Sequence, residues 1–308
     1  MVPRISMTLR FDLKIMLGHK ILMSTSFNRM NRQTIVCKVK LQMTGKYGPI
    51  HEDFMEEALR IEQAGAELGL PLRIIGCLAF RLKSPEFSDL HIKMGREVTD
   101  IDYMSYYKHQ GKIINLFRDD LGYHWVPPSF ARASTLRDLF IDKATGRKVD
   151  VFYDHLDFCH KIDFTKNKRL EVDEPTIPLA ELFLEKTQIF EINAKDLKDL
   201  VITFLAHDIS EDLDDTMVNG PYIANILADD WGFYYTVTEN IKKFINFVPT
   251  LTDITQEQKD HVIARANKIH KMIEDAPKSR GWNRRAKVGT KKRWYKIVHS
   301  MDGERGAD

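Results

Sequence analysis

Cysteine is scarce in this sequence, which contains three cysteines among 308 residues. Cys37, Cys77 and Cys159 are odd in number and widely spaced, which argues against a disulfide framework and favours a reducing compartment. Long apolar runs are also missing, since none approaches the roughly 20 residues that a membrane-spanning helix needs. The apolar patch at 15–17 is too short for the core of a signal peptide, because residues 18–20 interrupt it. We therefore expect a cytoplasmic protein without a membrane partner.

Neither sign of charge dominates the chain, because 46 basic residues face 44 acidic ones and the net charge is +2. The molecule as a whole is therefore not a polycation. The apolar fraction of 43% and the charged fraction of 29% are ordinary for a globular protein. The length suffices for one large domain or for two smaller domains with cores of their own.

The hydrophobic pattern predicts an α+β protein, in which a small mixed β-sheet flanked by helices is followed by a helical C-terminal domain. Residues 1–45 are irregular and form an uncertain N-terminal extension to which we assign no function. Residues 46–175 mix helical and strand patterns, whereas residues 176–308 are mainly helical and include a basic tail. The predicted strands are 72–75, 98–104, 136–141 and 148–153, and the predicted helices are 52–68, 77–82, 106–121, 179–192, 194–207, 221–230, 234–247 and 255–275.

Two aspartates lie close together in Thr99-Asp-Ile-Asp102, on the predicted strand 98–104. Side chains two residues apart on a strand point to the same face, so we expect Asp100 and Asp102 to project together while Ile101 turns into the core. Two carboxylates this close repel each other unless a cation lies between them. Mg²⁺ (or Mn²⁺) is the natural candidate, because such ions take oxygen ligands and keep contact with phosphates.

A third carboxylate lies on the second strand of a predicted β-hairpin. Asp150 stands between the apolar residues Val149 and Val151, so it faces either solvent or a metal site. If its strand pairs beside that of Asp100, three carboxylates converge, as metal-assisted phosphoryl transfer requires.

An anion site is predicted where the strand 72–75 ends at Gly76 and leads into a helix at Cys77. Such a junction leaves backbone N–H groups and the positive end of a helix dipole available to a triphosphate. Glycine also lets the backbone approach the phosphate closely.

Each of these features has an ordinary explanation when it is taken alone. Asp-x-Asp pairs arise by chance in a chain with this many acids, and we interpret Asp212-Leu-Asp214 as a solvated loop. Asp100 and Asp102 by themselves are equally consistent with a strand end that faces water. The ordered combination of glycine turn, Asp-x-Asp strand and third aspartate is more specific, and it favours a site.

This order of features resembles the nucleotidyltransferase fold of the polymerase-beta-like superfamily, in which a Gly-Gly or Gly-Ser turn precedes an Asp-x-Asp strand and a third acid follows. Within that superfamily, the chain is similar to a group of bacterial and archaeal predicted nucleotidyltransferases. These are distant relatives of the toxin components of type IV abortive-infection systems. The likeness is carried by Arg-Ile-Ile-Gly-Cys-Leu-Ala at 73–79, Arg-Glu-Val-Thr-Asp-Ile-Asp at 96–102, Lys-Val-Asp-Val-Phe at 148–152, Pro-Leu-Ala-Glu-Leu-Phe-Leu-Glu-Lys-Thr-Gln at 178–188, Lys-Asp-Leu-Lys-Asp at 195–199 and Asp-Asp-Trp-Gly-Phe-Tyr-Tyr at 229–235.

The resemblance implies a catalytic domain with the nucleotidyltransferase fold at 46–175, and it implies roles for single residues. It assigns the catalytic metal positions to Asp100, Asp102 and Asp150. It assigns nucleotide binding to Gly76 and Cys77 in the phosphate-binding turn, to Arg96 and Thr99 before the acids, and to Lys186 on the helix after the sheet. An antitoxin partner is an expectation of the same kind, and the oligomeric state is left open.

The implied reaction is in-line attack of an acceptor hydroxyl on the α-phosphate of an NTP, with release of pyrophosphate. Asp150 would help a second metal ion activate the acceptor or act as its base. Arg96 and Lys186 would neutralise charge on the triphosphate. Cys77 departs from the family pattern, because Gly or Ser is usual there and a thiol is a weak donor, although backbone N–H groups can still bind phosphate.

Basic residues crowd the segment 278–296 and alternate with Trp282, Trp294 and Tyr295. Basic side chains neutralise phosphates and aromatic rings stack on exposed bases, which favours an RNA acceptor such as tRNA. A basic helix that docks on the acidic stretches 208–215 and 229–230 is an equally good interpretation. The candidate nucleic-acid contacts are Arg284, Arg285, Lys291, Lys292, Arg293 and Trp294.

Three functions stay open at the level of sequence. The first is an active nucleotidyltransferase that modifies RNA or a protein hydroxyl, as a toxin or otherwise. The second is a catalytically silent member of the fold that serves as a binding or antitoxin-partnered module, and the third is a small-molecule nucleotidyltransferase of the antibiotic-modifying kind. Metal-dependent nucleotide binding distinguishes the first two, and a basic tail folded away from the site would favour the third.

Overall fold

The computed structural model describes residues 46–128 and 136–297. The N-terminal extension 1–45 lies outside the described residues, so no structural statement applies to it. The described chain is an α+β protein, with one small mixed sheet and helices around it, in agreement with the predicted class.

The strands of the mixed sheet are β1 Arg73–Ile75, β2 Ile101–Ser105, β3 His124–Val126, β4 Arg137–Ile141 and β5 Lys148–Tyr153. They lie side by side in the order β1-β2-β5-β4-β3. The central pair, β2 and β5, is parallel, whereas β1 is antiparallel to β2 and β4 is antiparallel to both β5 and β3. The predicted hairpin between β4 and β5 is confirmed, and Gly146 supplies the positive φ of 77° in its turn.

The helices of the first half are short apart from the first one. They are α1 Phe54–Glu67, α2 Gly76–Lys83, α3 Ser88–Lys93 and α4 Gln110–Asn115. Asp53 caps α1 by accepting from the N–H groups of Met55 and Glu56, and the left-handed Gly69 follows the end of the helix.

The second half is mainly helical, as predicted. Its helices are α5 Leu179–Thr187, α6 Ala194–Ala206, α7 Gly220–Asp229, α8 Trp231–Phe247, α9 Gln256–Asp275 and α10 Arg280–Val288. Two small strand pairs complete the fold, namely β6 His155–Asp157 with β7 Lys161–Asp163, and β8 Ile209–Ser210 with β9 Val218–Asn219.

Helix α5 lies at the centre of the molecule, because all nine of its residues are buried. It packs on α2 from the first half of the chain and on α6, α7 and α8 from the second. The apolar core is accordingly one cluster that includes residues from both sides of position 175, such as Ile74 and Phe183. The change in sequence character near residue 175 therefore does not separate two cores.

Some predicted elements differ from the structure at their ends. The predicted helix 106–121 is divided into a 3₁₀ turn at Tyr107–His109, helix α4 and a π turn at Leu116–Asp120. The predicted strand 98–104 begins only at Ile101. The helix predicted at 179–192 ends at Thr187, because Asn193 caps the next helix. Within the part of the chain that the structure describes, no helix is both long and apolar enough to cross a membrane.

Candidate functional site

The three predicted carboxylates lie together at one end of the mixed sheet. Asp102 on β2 is the register partner of Asp150 on β5, and because these strands are parallel, both side chains point to the same face. Asp100 lies just before the first residue of β2 and influences the ionisation of both other carboxyls. The convergence expected from sequence is therefore present in the structure.

Asp102 is the least compensated of the three carboxylates. Burial raises its pKa well above the usual range, and the negative charges of Asp100, Asp150 and Glu185 raise it further, while Lys186 opposes them. Within residues 46–128 and 136–297, the Asp102 carboxylate makes no hydrogen bond or ion pair. A carboxylate in this position costs folding free energy, which a bound cation would offset.

Gly76 makes this arrangement possible at the junction of β1 and α2. Its φ of +68° lies in the left-handed region that favours glycine. A Cβ atom built at this position would lie 3.1 Å from Oδ2 of Asp102. The missing side chain therefore leaves space beside the Asp102 carboxylate, where a ligand or a cation can approach.

The sequence predicts that the N–H group of Gly76 is available to bind phosphate, but in the structure this group is already hydrogen-bonded. Its N–H donates to Oε2 of Glu185 at 3.3 Å. Burial raises the pKa of Glu185, and the neighbouring Lys186 opposes that effect. Glu185 is thus a fourth acid at the site, on the buried helix α5, and it occupies one of the donors that the sequence assigned to phosphate.

Cys77 is the second residue of α2 and is buried. Burial raises the pKa of its thiol to about 11, and the charge of Asp199 contributes in the same direction. The thiol is therefore protonated at neutral pH, so Cys77 is neither a nucleophile nor an anionic ligand in this state.

Asp150 has a direct partner in Arg137 on the neighbouring strand β4. The Arg137 Nε donates to Oδ1 of Asp150 at 2.6 Å, and the guanidinium also lies over the Phe152 ring at 5.1 Å. Burial raises the pKa of Asp150, and the bond from Arg137 counteracts that rise. One oxygen of the third carboxylate is thus already bonded to a cationic side chain.

The two cations that were expected to neutralise the triphosphate are paired with protein carboxylates instead. Lys186 Nζ lies 3.1 Å from Glu185 Oε1 and 3.1 Å from Asp199 Oδ2. Arg96 donates to Asp199 through Nε at 2.9 Å and through Nη2 at 3.2 Å. The fully buried carboxylate of Asp199 requires neutralisation, which local sequence patterns do not reveal, and both cations serve that need instead of binding phosphate.

This buried ion cluster connects the elements around the carboxylates. Asp199 on α6 also bonds to Nε2 of His91 on α3, at 2.9 Å. Its cationic neighbours keep the pKa of Asp199 well below the usual range despite burial, whereas burial lowers the pKa of His91. Through Arg96, the cluster anchors the segment that leads into Thr99 and Asp100.

Cys77, His91 and Asp199 could in principle hold a metal ion, since their ligand atoms lie within 4.8 Å of one another. Lys186 and Arg96 already bind the Asp199 carboxylate, and the nearby imidazole bonds to it as well. A metal ion at this place would have to displace two protein cations. We interpret this group as a structural ion cluster.

Thr99 is exposed, and its hydroxyl donates to Oδ1 of Asp100 at 3.2 Å. It lies at the edge of the carboxylate site, as expected from its place in the sequence. This contact with Asp100 does not by itself indicate that the Thr99 hydroxyl binds phosphate.

The basic tail is docked on helix α8. Trp294 donates from Nε1 to Thr236 at 3.1 Å and packs edge-on against Trp231 and Tyr235. The ring of Tyr295 is stacked on Phe190 at 3.8 Å. Trp294 is therefore engaged in internal packing, and its predicted role in stacking on bases is not supported by this geometry.

The predicted basic contacts of the tail divide into two groups. Arg285 is half-buried, donates to the carbonyls of Gly289 and Lys292, and lies over the Trp231 ring at 4.8 Å. The exposed members of the set are Arg284, Lys291, Lys292 and Arg293. The tail contacts α8 and Phe190 through Arg285, Trp294 and Tyr295, and within the described residues no ion pair joins it to the acidic stretches 208–215 and 229–230.

Sequence reasoning missed four residues of the site. Glu185 and Asp199 lie within the stretches that carry the resemblance, and charged residues on an otherwise apolar helix such as α5 were the available indication. His91 and Arg137 gave no such indication, because their roles depend on tertiary contacts with Asp199 and Asp150.

Comparison with known proteins adds no family assignment: no family model matches the chain, and neither the search of curated proteins nor that of solved structures found a match. Inference about function therefore depends on the geometry described above.

Proposed function

We propose that this protein is a metal-dependent nucleotidyltransferase that transfers a nucleoside monophosphate from an NTP to a hydroxyl acceptor. One observation carries the proposal: Asp102 and Asp150 are register partners on parallel strands, beside a glycine whose missing side chain leaves Asp102 open. Paired carboxylates that face an open backbone turn suit the binding of a divalent cation with a polyphosphate.

The strand arrangement supports the nucleotidyltransferase fold as part of the proposal. A strand, a glycine turn and a helix lead to the strand of Asp102, and the strand of Asp150 lies next to it. This is the order and adjacency that the resemblance in the sequence implies.

The residues present fit Mg²⁺ or Mn²⁺. The donors are carboxylate oxygens, which such ions prefer, and Asp102 lacks a partner within the described residues. Asp100, Asp102 and Asp150 would hold the ion, which when bound would neutralise charge on the phosphates. The sulfur and imidazole of the neighbouring ion cluster suit softer metals, but protein cations occupy that cluster.

In the proposed reaction, an acceptor oxygen forms a bond to the α-phosphorus while the bond from that phosphorus to the bridging oxygen of pyrophosphate breaks. The acceptor proton passes to a carboxylate, and Asp150 is the candidate base because burial raises its pKa. Backbone N–H groups at the start of α2 bind phosphate oxygens, and the amide of Gly76 joins them if Glu185 releases it. Arg96 and Lys186 do not contact the nucleotide in this proposal; they hold Asp199 and Glu185 in place through ion pairs.

The C-terminal segment supports RNA as the acceptor. Arg280, Arg284 and Lys287 recur along one side of α10, they are exposed, and none has an ion pair within the described residues. Such a row neutralises phosphates of a nucleic acid. The following residue pair Trp294 and Tyr295 ties the segment to Phe190, which follows the helix that carries Glu185.

A catalytically silent binding module is the second candidate, and two contacts favour it. Glu185 occupies the Gly76 amide and Arg137 occupies one oxygen of Asp150, so the site is partly closed in this structure. The two candidates differ in one respect that can be measured, which is turnover of the nucleotide.

The test is incubation of the purified protein with each α-³²P-labelled NTP, Mg²⁺ or Mn²⁺ and total RNA. The variant Asp100→Asn/Asp102→Asn is compared with Asp212→Asn/Asp214→Asn, which changes an Asp-x-Asp pair in the loop between β8 and β9. We expect the parent and the loop variant to label RNA and the first variant to lose that activity.

Other products of this assay change the conclusion in defined ways. Label on the protein itself would replace RNA by a protein hydroxyl as the acceptor, and label on a small molecule would favour the antibiotic-modifying kind of enzyme. No transfer, together with no nucleotide binding in a calorimetric titration, would contradict the proposed activity.

A further inference from the structure

Arg137 is a cation in contact with the proposed metal site, and the reaction described above leaves it without a role. Its guanidinium bonds to Oδ1 of Asp150 at 2.6 Å, while 27% of its side chain stays exposed. The Phe152 ring supports the guanidinium from one side at 5.1 Å. The guanidinium of Arg137 is therefore partly exposed to solvent while it is bonded to a buried carboxylate.

The contact between Arg137 and Asp150 matters because the site holds more negative charges than positive ones. Asp100, Asp102, Asp150 and Glu185 face one another across the site, and burial alone already raises the pKa of the last three. Lys186 is buried and shared with Asp196 and Asp199. Arg137 interacts with all three aspartates and bonds to one of them.

We propose that Arg137 is the resident counter-ion of Asp150, that a divalent cation displaces it, and that the released guanidinium then binds the polyphosphate of the nucleotide. The inference rests on the proposed function, because it requires a metal ion at the carboxylates. A divalent cation and a guanidinium compete for the same Asp150 oxygen, since each needs its lone pairs. A guanidinium fork suits phosphate oxygens as well as it suits a carboxylate.

The exchange predicts opposite effects on two ligands. Without the positive charge at position 137, the carboxylates attract a cation more strongly, so the affinity for the metal rises. The same change removes a phosphate contact, so the affinity for the nucleotide falls. A residue that only supports the fold would weaken both.

The experiment is a pair of calorimetric titrations on the full chain, first with Mn²⁺ and then, in saturating Mn²⁺, with the α,β-methylene analogues of ATP and GTP. For Arg137→Met we expect Mn²⁺ to bind about tenfold more tightly, of the order by which one neighbouring charge shifts a carboxylate equilibrium. We expect the analogue to bind at least about tenfold more weakly, as for the loss of a hydrogen bond to a charged group.

Two further variants keep the test decisive. Arg137→Lys retains the charge, so we expect Mn²⁺ affinity close to that of the parent and an intermediate nucleotide affinity, even if the methionine variant fails to fold. Arg118→Met removes an exposed arginine that pairs with Asp119, and both affinities should stay unchanged.

The possible results separate this inference from the proposed function. A parent protein that binds no Mn²⁺ would overturn both. A parent that binds Mn²⁺, with Arg137→Met weakening the metal or leaving the nucleotide affinity unchanged, would overturn the role of Arg137 alone.

Discussion

Gly76 shows how one residue can serve both the backbone and the chemistry of a site. Its left-handed φ turns the chain from β1 into α2, and its missing side chain leaves room at the Asp102 carboxylate. Gly69 has a similar φ of +66°, yet no atom of the described residues lies within 4 Å of the position that its Cβ would take. Substitutions at Gly76 and Gly69 therefore allow the effect of backbone strain to be measured separately from that of steric crowding.

Replacing Gly76 by Ala should reduce stability and metal binding together. Both Gly76→Ala and Gly69→Ala introduce strain of about 1 kcal/mol, because alanine is unfavourable at these φ values. Only the change at 76 also crowds Asp102, so we expect it to abolish or strongly weaken Mn²⁺ binding, while Gly69→Ala binds like the parent. Urea denaturation and Mn²⁺ titration measure the two effects, and equal Mn²⁺ affinity in both variants would contradict this role.

Replacing Asp102 by Asn should stabilise the metal-free protein. The folded state raises the pKa of Asp102 above that of the unfolded chain, so the ionised carboxylate costs folding free energy as pH rises above about 4. We expect Asp102→Asn to gain on the order of 1 kcal/mol in EDTA at pH 8, less at pH 5, and to lose the stabilisation that Mn²⁺ gives the parent. Thermal unfolding with EDTA and with Mn²⁺ tests this, and a variant less stable than the parent at pH 8 would exclude it.

The carboxylates were predictable from sequence and their counter-ions were not. The alternation around Ile101 and the position of Asp150 between two valines are local patterns. They place Asp102 and Asp150 on strands correctly, whereas Asp100 lies just before β2 rather than on it. Arg96 and Lys186 are locally ordinary, and both pair with Asp199, which lies 103 positions from Arg96 and on a different helix from Lys186. Local periodicity contains no information on such pairs.

At the scale of elements, helix α5 joins the two halves of the molecule. A helix that is buried on every side usually lacks charged residues, yet this one carries Glu181, Glu185 and Lys186. Each has an oppositely charged partner, and Arg169 bonds to Glu181 through Nε and Nη2. The helix was predicted from its pattern, but its central position follows from packing that the pattern does not contain.

Docking of the tail depends on close approach to helix α8. A Cβ at Gly232 would lie 2.6 Å from the backbone oxygen of Trp294, whereas the nearest described atom to a Cβ at Gly281 would be Ser279 Oγ at 3.7 Å. We expect Gly232→Ala to cost about 1–3 kcal/mol, as overpacking does, and to displace the tail. Gly281→Ala should be neutral or slightly stabilising.

Limited trypsin digestion followed by mass spectrometry measures this displacement. Cleavage between Lys287 and Lys296 should be faster in Gly232→Ala than in the parent and in Gly281→Ala. Equal cleavage rates in all three proteins would mean that this contact does not fix the tail.

His160 makes the same docking contact sensitive to acid. Its ring is stacked on Phe233, its Nε2 lies 2.8 Å from Thr236 Oγ1, and burial lowers its pKa to about 4. The neutral ring is favoured in the folded state, so stability is fully present above pH 6.5 and falls as the pH decreases from 6.5 to 4, by about 3 kcal/mol at most. Thr236 also accepts from Trp294, so acid should loosen the tail as well.

Urea denaturation at pH 7 and pH 4.5 checks the contribution of His160. We expect the difference between the two pH values to be smaller in His160→Gln than in the parent. His124→Gln, at an exposed position on β3, serves as the control and should behave like the parent. An unchanged difference in His160→Gln would rule out this residue as the source.

At the scale of the whole molecule, the α+β class and the helical second half could be predicted from periodicity, whereas the shared core could not. The predicted boundary near residue 175 follows the change from mixed to helical patterns, yet Thr176 forms a bridge with Ile74 at the edge of the sheet. Helix α2 packs on α5 and α6, so the carboxylate site is supported by both halves. A separate first half would therefore lack Glu185 and the ion cluster around Asp199.

The measurement that tests the central claim most directly is anomalous X-ray diffraction from crystals of the full chain soaked in Mn²⁺. The claim is that Asp100, Asp102 and Asp150 form a divalent-cation centre beside Gly76. We expect the strongest anomalous peak within bonding distance of Asp102 and Asp150, and its loss in Asp102→Asn. A peak at the group of Cys77, His91 and Asp199 instead, or no peak at the carboxylates, would contradict the claim.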